Sequence, residues 1–219
     1  MPSRPRSAQP LKSAKKRAPA RGRPFVRGVA DTRAELIAAA RDLFLENGPA
    51  QFSLREVARR VGVSAAAVYR HFDNKEALLL AACTQGFHVF SGYLVRALAA
   101  RTPRERLLAT TEQYRSFALE NPLDYRFIFM TIADKARYEA RESLPQDTTF
   151  QFLVDRVREC TEADVLAPNE PTVTAVLIWA HVHGLVSLRL SEHLRSVGTD
   201  EAFTSLYRAS VERLLRGLA

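Results

Sequence analysis

The side chains best suited to chemistry in this chain are polar donors gathered in residues 52–75: Ser53, Arg55, Ser64, Tyr69, His71 and Lys75. No nucleophile, base and orienting group stand together there, but hydroxyl, guanidinium, imidazole and ammonium donors are the groups that grip phosphate oxygens and base edges. Local elements set their spacing. Ser53 and Glu56 form an S-x-x-E capping box, in which the serine hydroxyl takes an orphan backbone N–H and the glutamate reaches back to the cap. Leu54, Val57, Ala58 and Val61 then share one helical stripe, and Gly62 stands where the chain must turn through a left-handed conformation. Ser64 caps a second short helix over 64–71, whose front, Ala65, Ala66 and Ala67, carries only methyl groups while Val63, Val68 and Phe72 face inward. Asp73 and Asn74 cap a longer helix with Lys75 in its first turn, which sets a cation and backbone donors beside a phosphate. Two helices joined by a sharp turn, the second with a small-residue front, describe a helix-turn-helix that enters a DNA major groove.

The elements around this run are helical as well. Apolar residues recur at helical spacing and no segment alternates convincingly with period two, so the chain is predicted to be all-α. Asp31 or Thr32 caps a first helix with Leu36, Ile37, Ala40, Leu43 and Phe44 on one face, stopped by Asn47, Gly48 and Pro49. A long helix runs over 75–101 through Leu79, Ala82, Cys83, Gly86, Phe90, Tyr93, Leu94 and Ala97. Further helices are expected at 104–120, 148–163, 171–190 and 200–218, with a short aromatic segment at 123–133. Three regions follow: a basic arm at 1–28, a three-helix DNA-binding domain at 29–76, and a helical body at 77–219.

Ser53, Arg55, Ala58, Gly62, Val63, Tyr69, Phe72, Asn74, Lys75 and Leu78 together resemble the N-terminal DNA-binding domain of the TetR (tetracycline-repressor) family, over about 31–82. More faintly, Trp179, His183 and Gly184 are similar to the W-x-x-x-H-G motif of one class of TetR C-terminal domain. The resemblance implies a regulator, most often a repressor, whose homodimer holds a pseudo-palindromic double-stranded operator with half-sites roughly 34–36 Å apart and is released by a small molecule. It assigns regulation and dimerisation to the helical body at 77–219. It implies Arg55 facing the groove, and Tyr69, Lys75 and His71 at phosphates. Arg55 as a solvated charge, Tyr69 packed on the first helix and His71 in a structural role stay open as alternatives.

The dimer-forming pair implied by the resemblance has stripes at Val173, Val176, Leu177, Ala180, Gly184 and Leu188, then at Phe203, Leu206, Tyr207, Ser210, Val211, Leu214 and Leu218. Aromatic residues cluster before and within this pair. Phe87, Tyr114, Phe117, Tyr125, Phe129, Phe152, Trp179 and His183 are the expected lining of an apolar effector pocket, with ordinary core packing open as the alternative for each of them.

Composition narrows the class further. The 219 residues carry a formal net charge of +8, yet nine cations and no acid precede Val29, so the rest sums to −1. The basic character is therefore a tail. Its Pro, Ala, Ser and Arg content buries too little apolar area to order itself when free. Within it Arg21, Gly22, Arg23 and Pro24 match the core of an AT-hook, in which arginines lie along a narrow minor groove. Removing residues 1–28 is expected to weaken DNA binding and to flatten the slope of log affinity against log salt, because fewer counterions are released. An unchanged slope would contradict a role for the arm.

An uninterrupted run of about 18 apolar residues is lacking, and the basic start has no apolar core of a secretory signal, so a cytoplasmic protein with no membrane partner is expected. Cys83 and Cys160 sit singly on apolar stripes, as small core residues in a reducing compartment do. His181 and His183 are two apart and point to different helix faces, so no metal site is implied, and no cofactor or enzymatic constellation emerges. The competing reading is a protein that coats DNA broadly through its arm, without ligand control.

Overall fold

The computed structural model describes residues 29–131 and 146–219, which form nine α-helices and no strand. The expected basic arm, with Arg21 and Arg23, lies outside these residues. In chain order the helices are α1 (Val29–Asn47), α2 (Leu54–Val61), α3 (Ala65–Tyr69), α4 (Lys75–Arg96), α5 (Pro103–Glu120), α6 (Pro122–Tyr125), α7 (Gln146–Glu162), α8 (Pro171–Leu190) and α9 (Asp200–Gly217).

α1 starts before its expected cap, so Asp31 lies in the first turn and complements the helix dipole instead of capping it. Its predicted face is the core: Leu36, Ile37, Ala40, Leu43 and Phe44 are all buried. The helix stops at Gly48, at φ 73°. α2 shows half of the expected capping box. Ser53 Oγ accepts from the Glu56 N–H at 3.3 Å, but the Glu56 carboxylate accepts instead from Arg59, one turn on, at 2.9 Å. A charged donor at i+3 outcompetes the cap N–H. The complete box lies at α5, where Thr102 Oγ1 accepts from the Glu105 N–H at 3.2 Å and Glu105 Oε2 accepts from the Thr102 N–H at 3.1 Å, with Pro103 at the first helical position.

Gly62 ends α2 with φ 76°, and its N–H donates to the carbonyls of Ala58 and Arg59. α3 is shorter than expected, with Arg70 and His71 in the turn that follows. α4 ends at Arg96 and continues as a 3₁₀ turn over Ala97–Ala99, a common way for a helix to close its last orphan carbonyls. By length and composition alone Lys75–Ala99 and Pro171–Leu190 are apolar enough to cross a membrane, because mean hydropathy tolerates the isolated charged residues that interrupt an unbroken run. The first is a core helix, with Leu78, Cys83, Phe87 and Phe90 buried among α1 and α5. The second packs one face inward and leaves the other bare, as described below.

After α6 the chain makes a π-helical turn, Arg126–Thr131. Its consecutive bulky residues diverge. Phe127 meets Phe44 of α1 edge to face at 5.6 Å, Ile128 packs on α4, and Phe129 turns toward Phe90 and Tyr114. Gly86 permits this approach, since a Cβ there would stand 2.7 Å from Ile128 Cγ2. Arg41 of α1 ties the same segment down through a 2.6 Å hydrogen-bonded ion pair with Asp124. The small N-terminal unit is thus clamped to the body through α1, α4 and one π turn.

Candidate nucleic-acid interface and ligand cavity

Ser53, Arg55, Ser64, Ala65, Ala66, Tyr69 and Lys75 are all solvent-exposed, whereas Val57 and Val68, buried completely, and Phe72 hold α2 and α3 against α1. The Arg33 guanidinium covers the Phe72 ring at 5.1 Å. Of the three arginines on α2, Arg59 is held by Glu56 and Arg60 by both oxygens of Glu46, at 3.2 and 2.7 Å. Arg55 makes no hydrogen bond or ion pair with the described residues, which leaves all of its donors for an outside partner. Tyr69 is 56% exposed, so more than half of its side chain is open to an outside partner. His71 is half-buried beside Phe72 and is the least accessible of the predicted contacts.

Ser64 Oγ accepts from the Ala67 N–H at 3.1 Å, and that use of a lone pair leaves its hydroxyl proton free to donate. Asn74 caps α4 in the same way, accepting from the Ala77 N–H at 2.7 Å. The first N–H groups of α4 and the Lys75 ammonium, which stands only loosely near Glu76 at 3.9 Å, therefore share one positive helix start. Hydroxyls, a free guanidinium, an ammonium and a helix N-terminus surround an alanine-fronted helix, a set of donors suited to a phosphate backbone.

A second exposed surface lies on the C-terminal pair. Val173, Val176, Leu177 and Leu188 of α8 are 51%, 46%, 48% and 43% exposed, and Leu206 of α9 is 37% exposed, a contiguous apolar face on one side of α8. Gly184 falls in the same stripe, and nothing lies within 4 Å of where its Cβ would be, so no intramolecular packing requires a glycine there. The expected α9 stripe is divided. Phe203, Tyr207 and Val211 face the core, joined by Leu215 from outside the expected stripe, Leu206 faces out, and Ser210, Leu214 and Leu218 are only partly covered. The pattern contained two overlapping apolar stripes, and burial of the aromatics within the chain fixes which one is internal.

Between α4, α5, α7 and α8 lies a cavity of about 260 Å³. Of the eight residues expected to line it, Tyr114, Phe129 and Trp179 do. Phe87 and Phe117 are completely buried core side chains behind the wall, against Phe129 and Phe90, and Phe152 lies beneath the Arg156 guanidinium at 4.7 Å. Phe152 misses because two residues along a helix turn a side chain to the opposite face, so Phe150 takes its place on the wall. Tyr125 and His183 lie just behind the wall as a polar support. His183 Nδ1 stands 2.8 Å from the Tyr114 hydroxyl and 2.9 Å from that of Tyr125. Burial pushes the imidazole's pKa down, and pushes Tyr125 up to about 12 and Tyr114 well above its ordinary value, so all three are neutral at physiological pH. Leu94, Thr110, Thr111 and Leu153 also stand on the wall, unmarked by the aromatic pattern. Small polar or aliphatic residues on a helix face carry no distinctive signal. His181 instead bonds Ser210 of α9 at 2.9 Å, so the two histidines diverge.

An exposed helix-turn-helix, joined through a long core helix to a helical body with an internal cavity, defines a helix-turn-helix protein of the regulator type. The family of bacterial regulatory proteins, tetR family, matches residues 36–82, and the tetracyclin repressor-like C-terminal domain matches residues 107–216. The chain belongs to the TetR family. The tetracycline repressor protein class A from transposon 1721 of Escherichia coli is 32% identical over 126 residues, 55% of this chain and 53% of that protein. The chain spans about half the length of the curated relatives it matches. Among solved structures, a protein of unknown function from Rhodococcus sp. RHA1 is similar with a TM-score of 0.68 and 29% identity, covering 90% of this chain and 98% of that one. FadR from Bacillus subtilis, solved in complex with stearoyl-CoA, has the same fold, with a TM-score of 0.69 at 16% identity, covering 85% and 99%.

Proposed function

We propose that this protein is a ligand-responsive transcriptional regulator that binds a two-fold operator as a homodimer, each α3 in a major groove, and acts in the cytoplasm rather than as an enzyme. The observation that carries this reading is the row of exposed donors around α3, in which Arg55 alone of the α2 arginines has no partner among the described residues. Arg55 reads a guanine edge, the alanine front meets thymine methyl groups, and Ser53, Ser64, Tyr69, His71 and Lys75 hold the backbone. The bare apolar face of α8, with Gly184 within it, supports pairing with a second copy, which aligns two heads with a pseudo-palindrome. A basic arm at 1–28, a head at 29–76 and a body at 77–219 is the division of labour this implies.

The cavity supplies the regulatory input. Phe129 stands on its wall, and the neighbouring residues of the same π turn, Phe127 and Ile128, bear on α1 and α4. A ligand that moves Phe129 shifts both helices that carry the head, so ligand and operator weaken each other reciprocally and the unliganded form represses. That FadR is a complex with an acyl-CoA supports a small molecule in a body of this fold. The lining here, apolar and compact, favours a smaller apolar effector.

Substitution separates the two kinds of DNA contact. Arg55→Ala is expected to cost about 1–3 kcal/mol on the true site and to relax preference at one base position, whereas Lys75→Ala weakens all sequences similarly and lowers the salt slope by about one. Fluorescence anisotropy on a panel of single-base operator variants measures both. Unaltered base preference in Arg55→Ala would refute its assignment.

A further inference from the structure

Resting on the reading of the cavity as an effector site, its polar corner has one hydroxyl proton too many. Tyr114 and Tyr125 both approach His183 Nδ1, at 2.8 and 2.9 Å, and that atom offers either one lone pair or one proton. If it accepts, only one tyrosine is served. If it donates, neither hydroxyl proton is. The remaining acceptors are distant: the two hydroxyl oxygens are 3.5 Å apart, and Tyr125 is 3.5 Å from the His183 carbonyl. Trp179 adds a further donor on the same wall. A buried donor left without an acceptor costs free energy, so the corner is poised to gain one.

The surplus falls to Tyr114. Tyr125 is completely buried off the wall, where Nδ1 is its one short partner, while Tyr114 lines the cavity beside Phe129 and Trp179. Two of the wall's three threonines are already engaged with their own helix. Thr110 and Thr111 donate their own hydroxyls to the backbone carbonyls of Arg106 and Leu108, at 2.7 and 2.8 Å. The described lining carries no charged residue, so nothing on it pairs with an ionised ligand group, which loses hydration on entry. The volume, about 260 Å³, falls short of the roughly 300–1,000 Å³ of drug-sized sites and exceeds the roughly 150 Å³ that admits benzene. We infer that the cavity selects an uncharged, compact, ring-sized ligand bearing a hydrogen-bond acceptor such as a ketone or ester carbonyl, which takes the Tyr114 hydroxyl proton.

Three near-isosteric probes test this on the full chain: acetophenone, α-methylstyrene, which replaces the carbonyl oxygen by a methylene, and benzoate, which carries a charge. Trp179, the sole tryptophan, reports binding from the wall itself. Acetophenone is expected to bind about three- to tenfold more tightly than α-methylstyrene, the worth of one neutral hydrogen bond, and benzoate more weakly than either. Tyr114→Phe should abolish the ketone preference while keeping α-methylstyrene affinity. Tyr125→Phe should also diminish it with the Tyr114 hydroxyl intact, because that hydroxyl then turns to Nδ1. Circular dichroism establishes that both variants are folded, and either one alone decides the point. Equal binding of ketone and hydrocarbon to the wild type, a preference that survives both substitutions, or tighter binding of benzoate would overturn the inference while leaving an effector cavity in place. No Trp179 response to any probe would overturn the cavity reading, and the inference with it.

Discussion

Leu177→Arg is expected to yield a folded monomer whose operator affinity falls about 100-fold or more, since a monomer forfeits the effective concentration that two linked half-site contacts provide. The side chain is 48% exposed, so within one chain an arginine costs little and its guanidinium reaches water. In an isologous interface each copy brings the same residue near the same axis, so two like charges would be buried where apolar surface was expected. Sedimentation equilibrium measures the assembly state, circular dichroism the fold, and anisotropy the DNA affinity. A variant that remains dimeric with unchanged operator affinity would show that the apolar face of α8 is not the dimer surface.

Phe117→Ala carries the largest expected stability effect, a loss of about 3–5 kcal/mol, because a completely buried aromatic leaves a void that its neighbours fill only in part. The ring stands 5.0 Å from that of Phe90 and 5.7 Å from that of Tyr93, so the void opens directly behind a wall of the cavity. Urea unfolding followed by circular dichroism should show a lowered midpoint with an unchanged slope. A loss below about 1 kcal/mol would mean that α4 and α5 close around the gap, and that this core is far less rigid than its packing implies.

Where local rules dominate, the sequence was legible. Ser53, Gly62, Ser64 and Asn74 act on the backbone within a few residues of themselves, so the start and stop of α2, the cap of α3 and the start of α4 could be read directly. The stripe of α1 was equally plain because only one of its faces is apolar. Long-range contacts were not legible. Nothing in the spacing foretold that Asp124 would hold Arg41, that a π turn would send Phe127, Ile128 and Phe129 to three different neighbours, or that Gly86 exists to admit Ile128. Pocket residues were the least legible, because core aromatics and wall aromatics share one composition. Phe117 and Tyr114, three residues apart on α5, differ only in what α7 and α8 bring opposite them.

Docking is the central claim, and it is tested most directly by selecting bound sequences from random double-stranded DNA with the full-length protein at physiological salt. The account predicts enrichment of a pseudo-palindrome whose half-sites are roughly one helical turn, 34–36 Å, apart, with one position per half-site relaxed in Arg55→Ala. Retention of DNA without any enriched sequence would contradict it, and would leave a protein that coats DNA through its basic arm.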